Sequence, residues 1–233
     1  MANEQKKGLS TNSNAYTLIY SAVLVIIVAF LLSFVASTLR ERQEANEKND
    51  KKSQILAAIN VKDAENVEAN FAKYVKPVVV DAQGNAVDGK DGFEIDFNKA
   101  ADADNLPVYI CNVEGQTKYV IPVKGNGLWG PIWGYVGLND DKSTVCGIYF
   151  NHEGETPGLG AEISTEGFQA PFIGKHIKNA EGQVVSIAVL KKGLKAEEGQ
   201  DQVDAISGGT ITSNGVNDML KNSLKNYDQF LTK

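Results

Sequence analysis

From Tyr16 to Leu39 the chain runs YTLIYSAVLVIIVAFLLSFVASTL, 24 residues without one charged side chain. Coiled as a helix, such a stretch is about 36 Å long, enough to cross a hydrocarbon layer of about 30 Å with some tilt. A lone segment in lipid must satisfy its own backbone polar groups, which leaves it the helix. A cleaved signal peptide would have a shorter apolar core, of about 7–15 residues, ending in a small-x-small site. Here Leu39 leads straight into Arg40-Glu41-Arg42. Residues 16–39 therefore read as a retained anchor, with a tail over 1–15 before it. The anchor has no Asp, Glu, His, Lys or Arg side chain, which argues against an ion path through this helix.

The flanks speak less plainly about orientation. Lys6 and Lys7 precede the span, whereas Arg40, Arg42, Lys48, Lys51 and Lys52 follow it. Counted by the positive-inside rule alone, the C-terminal bulk belongs in the cytoplasm. That rule weakens for large translocated domains, so orientation stays open on charge alone. Residues 40–60 begin as RERQEANEKNDKKSQ, rich in helix formers, and end in the apolar stripe Ile55, Leu56 and Ile59. This reads as a solvated helical stalk that holds the following domain near a membrane surface.

From residue 61 to 233 the texture changes to short apolar runs and glycine turns. Residues 77–85 read as a strand and a turn. Val108–Val113 and Lys118–Val123 flank a hairpin turn at 114–117, and Ile132–Leu138 and Thr144–Phe150 flank another at 139–142. Gln183–Leu190 is a further β-branched run. Strands joined by short turns point to a largely antiparallel sheet. Val216, Met219, Leu220, Leu224, Tyr227, Phe230 and Leu231 recur at helical spacing and predict a C-terminal helix. Thr212, Ser213 and Asn214 are its expected N-caps. The fold class is α+β: one N-terminal transmembrane helix, then a largely antiparallel-sheet domain closed by a C-terminal helix.

Three glycine-rich stretches could carry chemistry. Gly125-Asn126-Gly127-Leu128-Trp129-Gly130 reads as a wide turn with Trp129 as a core plug, or as a loop whose Leu128 and Trp129 wall a flat ligand. In Glu155-Thr156-Pro157-Gly158-Leu159-Gly160 a carboxylate and a hydroxyl lie among glycines that would let backbone N–H groups approach a ligand. Asp204-Ala205-Ile206-Ser207-Gly208-Gly209-Thr210-Ile211-Thr212-Ser213 leads into the C-terminal helix. It reads as a capped helix start, or as an anion site where free N–H groups and the helix dipole meet hydroxyls.

Much else is excluded. The net charge of −6 argues against a nucleic-acid partner, which would call for a basic face. Two histidines and two cysteines are too few for a multi-histidine or four-thiolate metal centre, so no metal site is expected. His152 alone does not make one. No GxxxxGK[ST] loop or nucleophile elbow is present, and no GxGxxG opens a helix as a dinucleotide fingerprint would. Cys111 and Cys146 read as small buried hydrophobes, with a disulfide between them left open.

Taken in order, GNGLWG, ETPGLG and D-x-x-S-G-x-T followed by ITSNGV resemble the FMN-binding domain of respiratory membrane complexes. With one anchor and a chain this short, the resemblance is to the family of C subunits of Na⁺-translocating NADH:quinone oxidoreductases, and it covers essentially the whole chain. It implies FMN held covalently, its phosphate esterified to the hydroxyl of Thr210. It further implies that Asp204, Ser207, Gly208 and Gly209 form the segment read by a flavin transferase, which takes FMN from FAD with Mg²⁺ as helper. Gly209 stands where the family usually has alanine. Leu128, Trp129, Glu155, Thr156, Gly158, Leu159 and Thr212 would adjoin the flavin, and Lys192 would be a further flavin or phosphate neighbour.

The same resemblance implies a bacterial inner-membrane protein with the domain on the periplasmic side, where the transferase acts. The chain would relay electrons from a metal centre in neighbouring subunits to another flavin, coupled to Na⁺ export. It would bind neither NADH nor quinone itself. The G subunit of the Rnf ferredoxin:NAD⁺ oxidoreductase is the nearest rival, and an anchored, non-redox binding module is a rival of another class.

Overall fold

The computed structural model describes residue 11 and residues 13–61, 65–96 and 104–233. Lys6, Lys7 and most of the 1–15 tail lie outside the described residues. The chain divides into two compact units at Lys48/Asn49.

In the first unit, helix α1 (Asn14–Ala57) begins with Ser13, whose Oγ accepts the Tyr16 N–H at 3.2 Å. Its apolar side chains from Leu18 to Leu39 face outward, buried by nothing in the protein. That is the arrangement lipid demands and water penalises. Among the described residues it is the one helix long and apolar enough to span a membrane. Beyond the span, an exposed Arg40–Glu44 pair at 2.8 Å lies along the helix.

The second unit starts earlier than residue 61. Ile55, Leu56, Ala58 and Ile59 are at most 1% exposed, so the end of the expected stalk is part of the domain core. The helix stops where Asn60 takes a left-handed turn (φ 64°) and its Nδ2 donates to the Cys146 carbonyl at 2.6 Å. The Ala58 carbonyl fits against Gly137 and Gly147, paired across neighbouring strands, where any Cβ would collide with it. Trp133 Nε1 donates to Gln54 Oε1 at 3.1 Å and ties the same helix end to the sheet.

Helix α2 (Val67–Tyr74) runs directly into β1 (Val75–Val80). β2 (Leu106–Val113), β3 (Gln116–Asn126), β4 (Pro131–Leu138) and β5 (Val145–His152) follow, and the five strands form an antiparallel meander in sequence order. The β2–β3 turn is tighter than the sequence suggests. It has two residues, Glu114 and Gly115, both at positive φ, the pairing that suits right-twisted strands. One face of the sheet packs Tyr109, Cys111, Val120 and Tyr135 against the end of α1 and α2. The other packs Val108, Ile121, Val123, Ile132 and Val136 against the C-terminal helix. Both faces are covered, which explains why the strands read as apolar runs rather than clean alternations.

Short 3-10 turns and helix α3 (Glu166–Gln169) follow β5. The Gln183–Leu190 run is a strand only over β6 (Ala188–Leu190), because Ser186 turns through positive φ (66°). β6 pairs parallel with β7 (Gln202–Asp204), a departure from the antiparallel rule. Helices α4 (Thr210–Asn226) and α5 (Asp228–Thr232) close the chain. Helix α4 starts at Thr210, so the expected caps Thr212, Ser213 and Asn214 sit inside its first turns and Gly209 holds the cap position. Two of those side chains are engaged elsewhere: Ser213 Oγ accepts the Ile206 N–H at 3.0 Å, and Thr212 bonds outside the helix. Cys111 and Cys146 are both free thiols on non-adjacent strands. Burial pushes the Cys111 thiol up to about 12.

Candidate functional site

The three glycine-rich segments, separated in sequence, converge at one end of α4. The β3–β4 connection supplies the first. Gly127 N–H closes a tight turn on the Gly130 carbonyl at 2.8 Å, which throws Leu128 and Trp129 outward. Trp129 is 70% exposed, so it is no core plug. β5 delivers the second segment. His152 at the strand end accepts the Glu155 N–H on Nδ1 at 3.1 Å. The Thr156 carbonyl then accepts from Leu159 and Ala161, each at 3.1 Å, and Gly158 supplies the positive φ (76°) that this turn requires. The third follows β7, where the Gly209 N–H folds back on the Ile206 carbonyl at 3.1 Å and Gly208 stands at φ 79°. A Cβ on Gly208 would also press within 2.8 Å of Leu159 Cδ2.

Glu155 is the common point. It is 5% exposed, and both oxygens are engaged. Oε1 accepts the Trp129 N–H at 2.8 Å, and Oε2 accepts the Thr212 hydroxyl at 2.5 Å. Both are hydrogen bonds to an acidic oxygen, a strong kind. Gly127 and Gly160 make the room: a Cβ on Gly127 would run into Oε1, and one on Gly160 into Oε2 and the Thr212 hydroxyl. These two glycines accommodate a side chain of the protein itself rather than a close ligand approach.

Around this point lies a cavity of about 220 Å³. Leu128 borders it from the first segment, Glu155, Thr156, Leu159 and Gly160 from the second, and Gly208 to Thr212 from the third. Leu128, Leu159 and Ile211 give an apolar rim, at 50%, 42% and 57% exposure. No side chain caps α4, so its first N–H groups and the positive end of its dipole open to the same place. Of the hydroxyls in the first turn of α4, Thr212 and Ser213 are buried and bonded, whereas Thr156 across the cavity is exposed. Thr210 is exposed at the first helical position, and its hydroxyl has no hydrogen-bond partner among the described residues.

The fold thus gathers Leu128, Glu155, Thr156, Leu159, Gly208, Gly209, Thr210 and Thr212 around one cavity. Trp129 joins them through its backbone, with its indole outside. Gly158 and Ser207 lie in the adjoining turns, and Asp204 ends β7 at the surface. Lys192 is exposed in the turn after β6 and is not among the residues bordering the cavity. Sequence reasoning missed Gly127 and Gly160 as the cradle of Glu155, and Ile211 as part of the rim. Among the described residues, no three His, Cys, Asp or Glu side chains are grouped to hold a metal ion.

Comparison with known proteins bears on this site. The FMN-binding domain family matches residues 127–225, a span that begins at the glycine cradling Glu155, inside the first segment, and contains the other two whole. The C subunit of the Na⁺-translocating NADH-quinone reductase of Vibrio anguillarum is 33% identical over 222 residues, covering 86% of each chain. The corresponding subunit of Vibrio vulnificus is 36% identical over 219 residues, covering 83% of this chain and 84% of its own. The crystal structure of the C subunit from Parabacteroides distasonis superposes with a TM-score of 0.78 at 48% identity, covering 84% of this chain and 98% of that one.

Proposed function

The chain belongs to the family of Na⁺-translocating NADH-quinone reductase C subunits, and from that premise we propose that it carries FMN as a phosphoester on Thr210 and relays electrons within such a complex. The coarse part follows from membership: an FMN-binding flavoprotein subunit of a multisubunit membrane oxidoreductase. The finer part rests on one observation. Thr210 is the exposed, unbonded hydroxyl at an uncapped helix start, beside a cavity with an apolar rim.

The residues fit the group. The open N–H groups and dipole of α4 favour a phosphate at that place, and Gly208 and Gly209 carry no side chain to obstruct it. Leu128, Leu159 and Ile211 offer apolar contact to a flat ring. Attachment would join Thr210 Oγ to the FMN phosphorus while the P–O–P bond of FAD breaks. AMP leaves, and the hydroxyl proton passes to the flavin transferase, with Mg²⁺ as helper. Once bound, FMN supplies reversible electron transfer; the protein's part is to hold and orient it. We place the donor in a metal centre of neighbouring subunits and the acceptor in another flavin, with Na⁺ export coupled elsewhere in the complex. α1 is the anchor, with the domain on the periplasmic side of a bacterial inner membrane.

Mass spectrometry of the Asp204–Lys221 peptide, from the full chain matured in cells that contain the transferase, tests this. One FMN on Thr210 is the expected result. A peptide of unmodified mass overturns the reading.

A further inference from the structure

We infer that Glu155 is a positioning residue for the flavin: its carboxylate pins the turn that carries Leu128 to the helix turn that bears Thr210. The inference rests on the flavin reading above and deepens it. The ring and its tether belong to different segments. Leu128 and Trp129 project from the β3–β4 turn, whereas Thr210 starts α4. One side chain bridges them, with Oε1 on the Trp129 N–H and Oε2 on the Thr212 hydroxyl. Glu155 is itself fixed from behind by its N–H on His152 Nδ1, at the end of β5. The two flanking glycines open the room the carboxylate occupies, since Gly127 and Gly160 abut its two oxygens.

A tether alone would leave the ring free to swing about the Thr210 side chain. Pre-organisation of a site depends on locking the groups that contact the ligand through a supporting set of bonds. Here that set is Trp129–Glu155–Thr212. With both oxygens committed inside the protein, Glu155 acts through its two partners. Loss of either end uncouples the Leu128 turn from the tether without removing the attachment hydroxyl.

The test uses the full chain, matured with the transferase, purified in detergent and checked by mass for one FMN per chain. The readout is the circular dichroism of the flavin in the visible range, which reports how rigidly the ring is held in a chiral surrounding. Glu155→Ala and Thr212→Val should each keep the FMN mass yet lose most of that signal. The double variant should lose no more than either alone, and Thr212→Ser, which keeps the hydroxyl, should restore it. The melting temperature, followed in the near ultraviolet, separates this from general loosening. A variant with wild-type flavin dichroism, whatever its melting temperature, overturns the inference. If Glu155→Ala does not fold, the Thr212→Val and Thr212→Ser pair decides. Wild-type protein without FMN mass instead overturns the flavin reading itself.

Discussion

The Thr212 hydroxyl donates to Glu155 Oε2 at 2.5 Å across 57 positions of sequence, and that bond joins the end of β5 to the first turn of α4. The space around it is closed by two glycines. Gly160→Ala would place a methyl on both bonded atoms, and Gly127→Ala one on Oε1. Overpacking of this kind costs about 1–3 kcal/mol. Each variant should unfold at a lower denaturant concentration, with Gly160→Ala the worse of the two. Equal midpoints for both variants and the wild type, by near-ultraviolet dichroism, would contradict the packing described.

At Thr210 the expectation is the reverse. The side chain is exposed, so Thr210→Val should leave stability within about 0.5 kcal/mol. It should nonetheless abolish the fluorescent flavin band on a denaturing gel. Thr210→Ser keeps a hydroxyl and should keep some flavin. Complete loss in the serine variant would show that the methyl group matters to the transferase.

The boundary of the second unit makes a third prediction. A chain starting at Asn49 retains Gln54, Ile55, Leu56, Ala58 and Ile59, and should fold. One starting at Val61 loses them and bares Tyr109, Tyr135 and Val120 on the sheet face they cover. It should be insoluble or molten, and a sharp proton NMR spectrum from it would refute the boundary.

Alkaline pH should loosen the domain. Burial pushes the Cys111 thiol up to about 12 and raises the Tyr109, Tyr135 and Tyr227 phenols. In an unfolded chain thiols and phenols ionise near about 8.5 and 10. The folded state therefore holds these protons more tightly. The corresponding stability is complete below the unfolded values and is lost as pH rises toward the folded ones. The denaturation midpoint should be level below about pH 8 and fall from about pH 9 upward. A level midpoint to about pH 11 would contradict it.

Orientation sets the Lys and Arg count against the flavin reading. A periplasm-dependent reporter fused after Lys233 should be active, and a cytoplasm-dependent one silent. The opposite pattern would return the domain to the cytoplasm, as the residues flanking the span suggest on their own.

What could be read from the sequence was whatever local pattern dictates. The charge-free span, both hairpins and the apolar stripe of α4 follow from periodicity and turn chemistry, and the structure has them all. The site segments were legible as motifs, and their convergence followed only from resemblance. Three things escaped because they depend on distant partners. The stalk's last turns are buried because Gly137 and Gly147 receive Ala58. Helix α4 begins early because Thr212 and Ser213 bond outward instead of capping. The 183–187 stretch is no strand because Ser186 turns aside at positive φ. Gly160 looked like an opening for a ligand, and only the placement of Glu155 shows what fills the space.

The docked end of α1 also has a consequence in time. Ile55, Leu56 and Ile59 leave the ribosome early, but the strand that receives Ala58 lies at Cys146, 88 positions later. At a synthesis rate of about 5–20 residues per second that apolar strip waits several seconds for its cover. During that interval the nascent segment just beyond the anchor carries an apolar strip whose last cover has not yet been made.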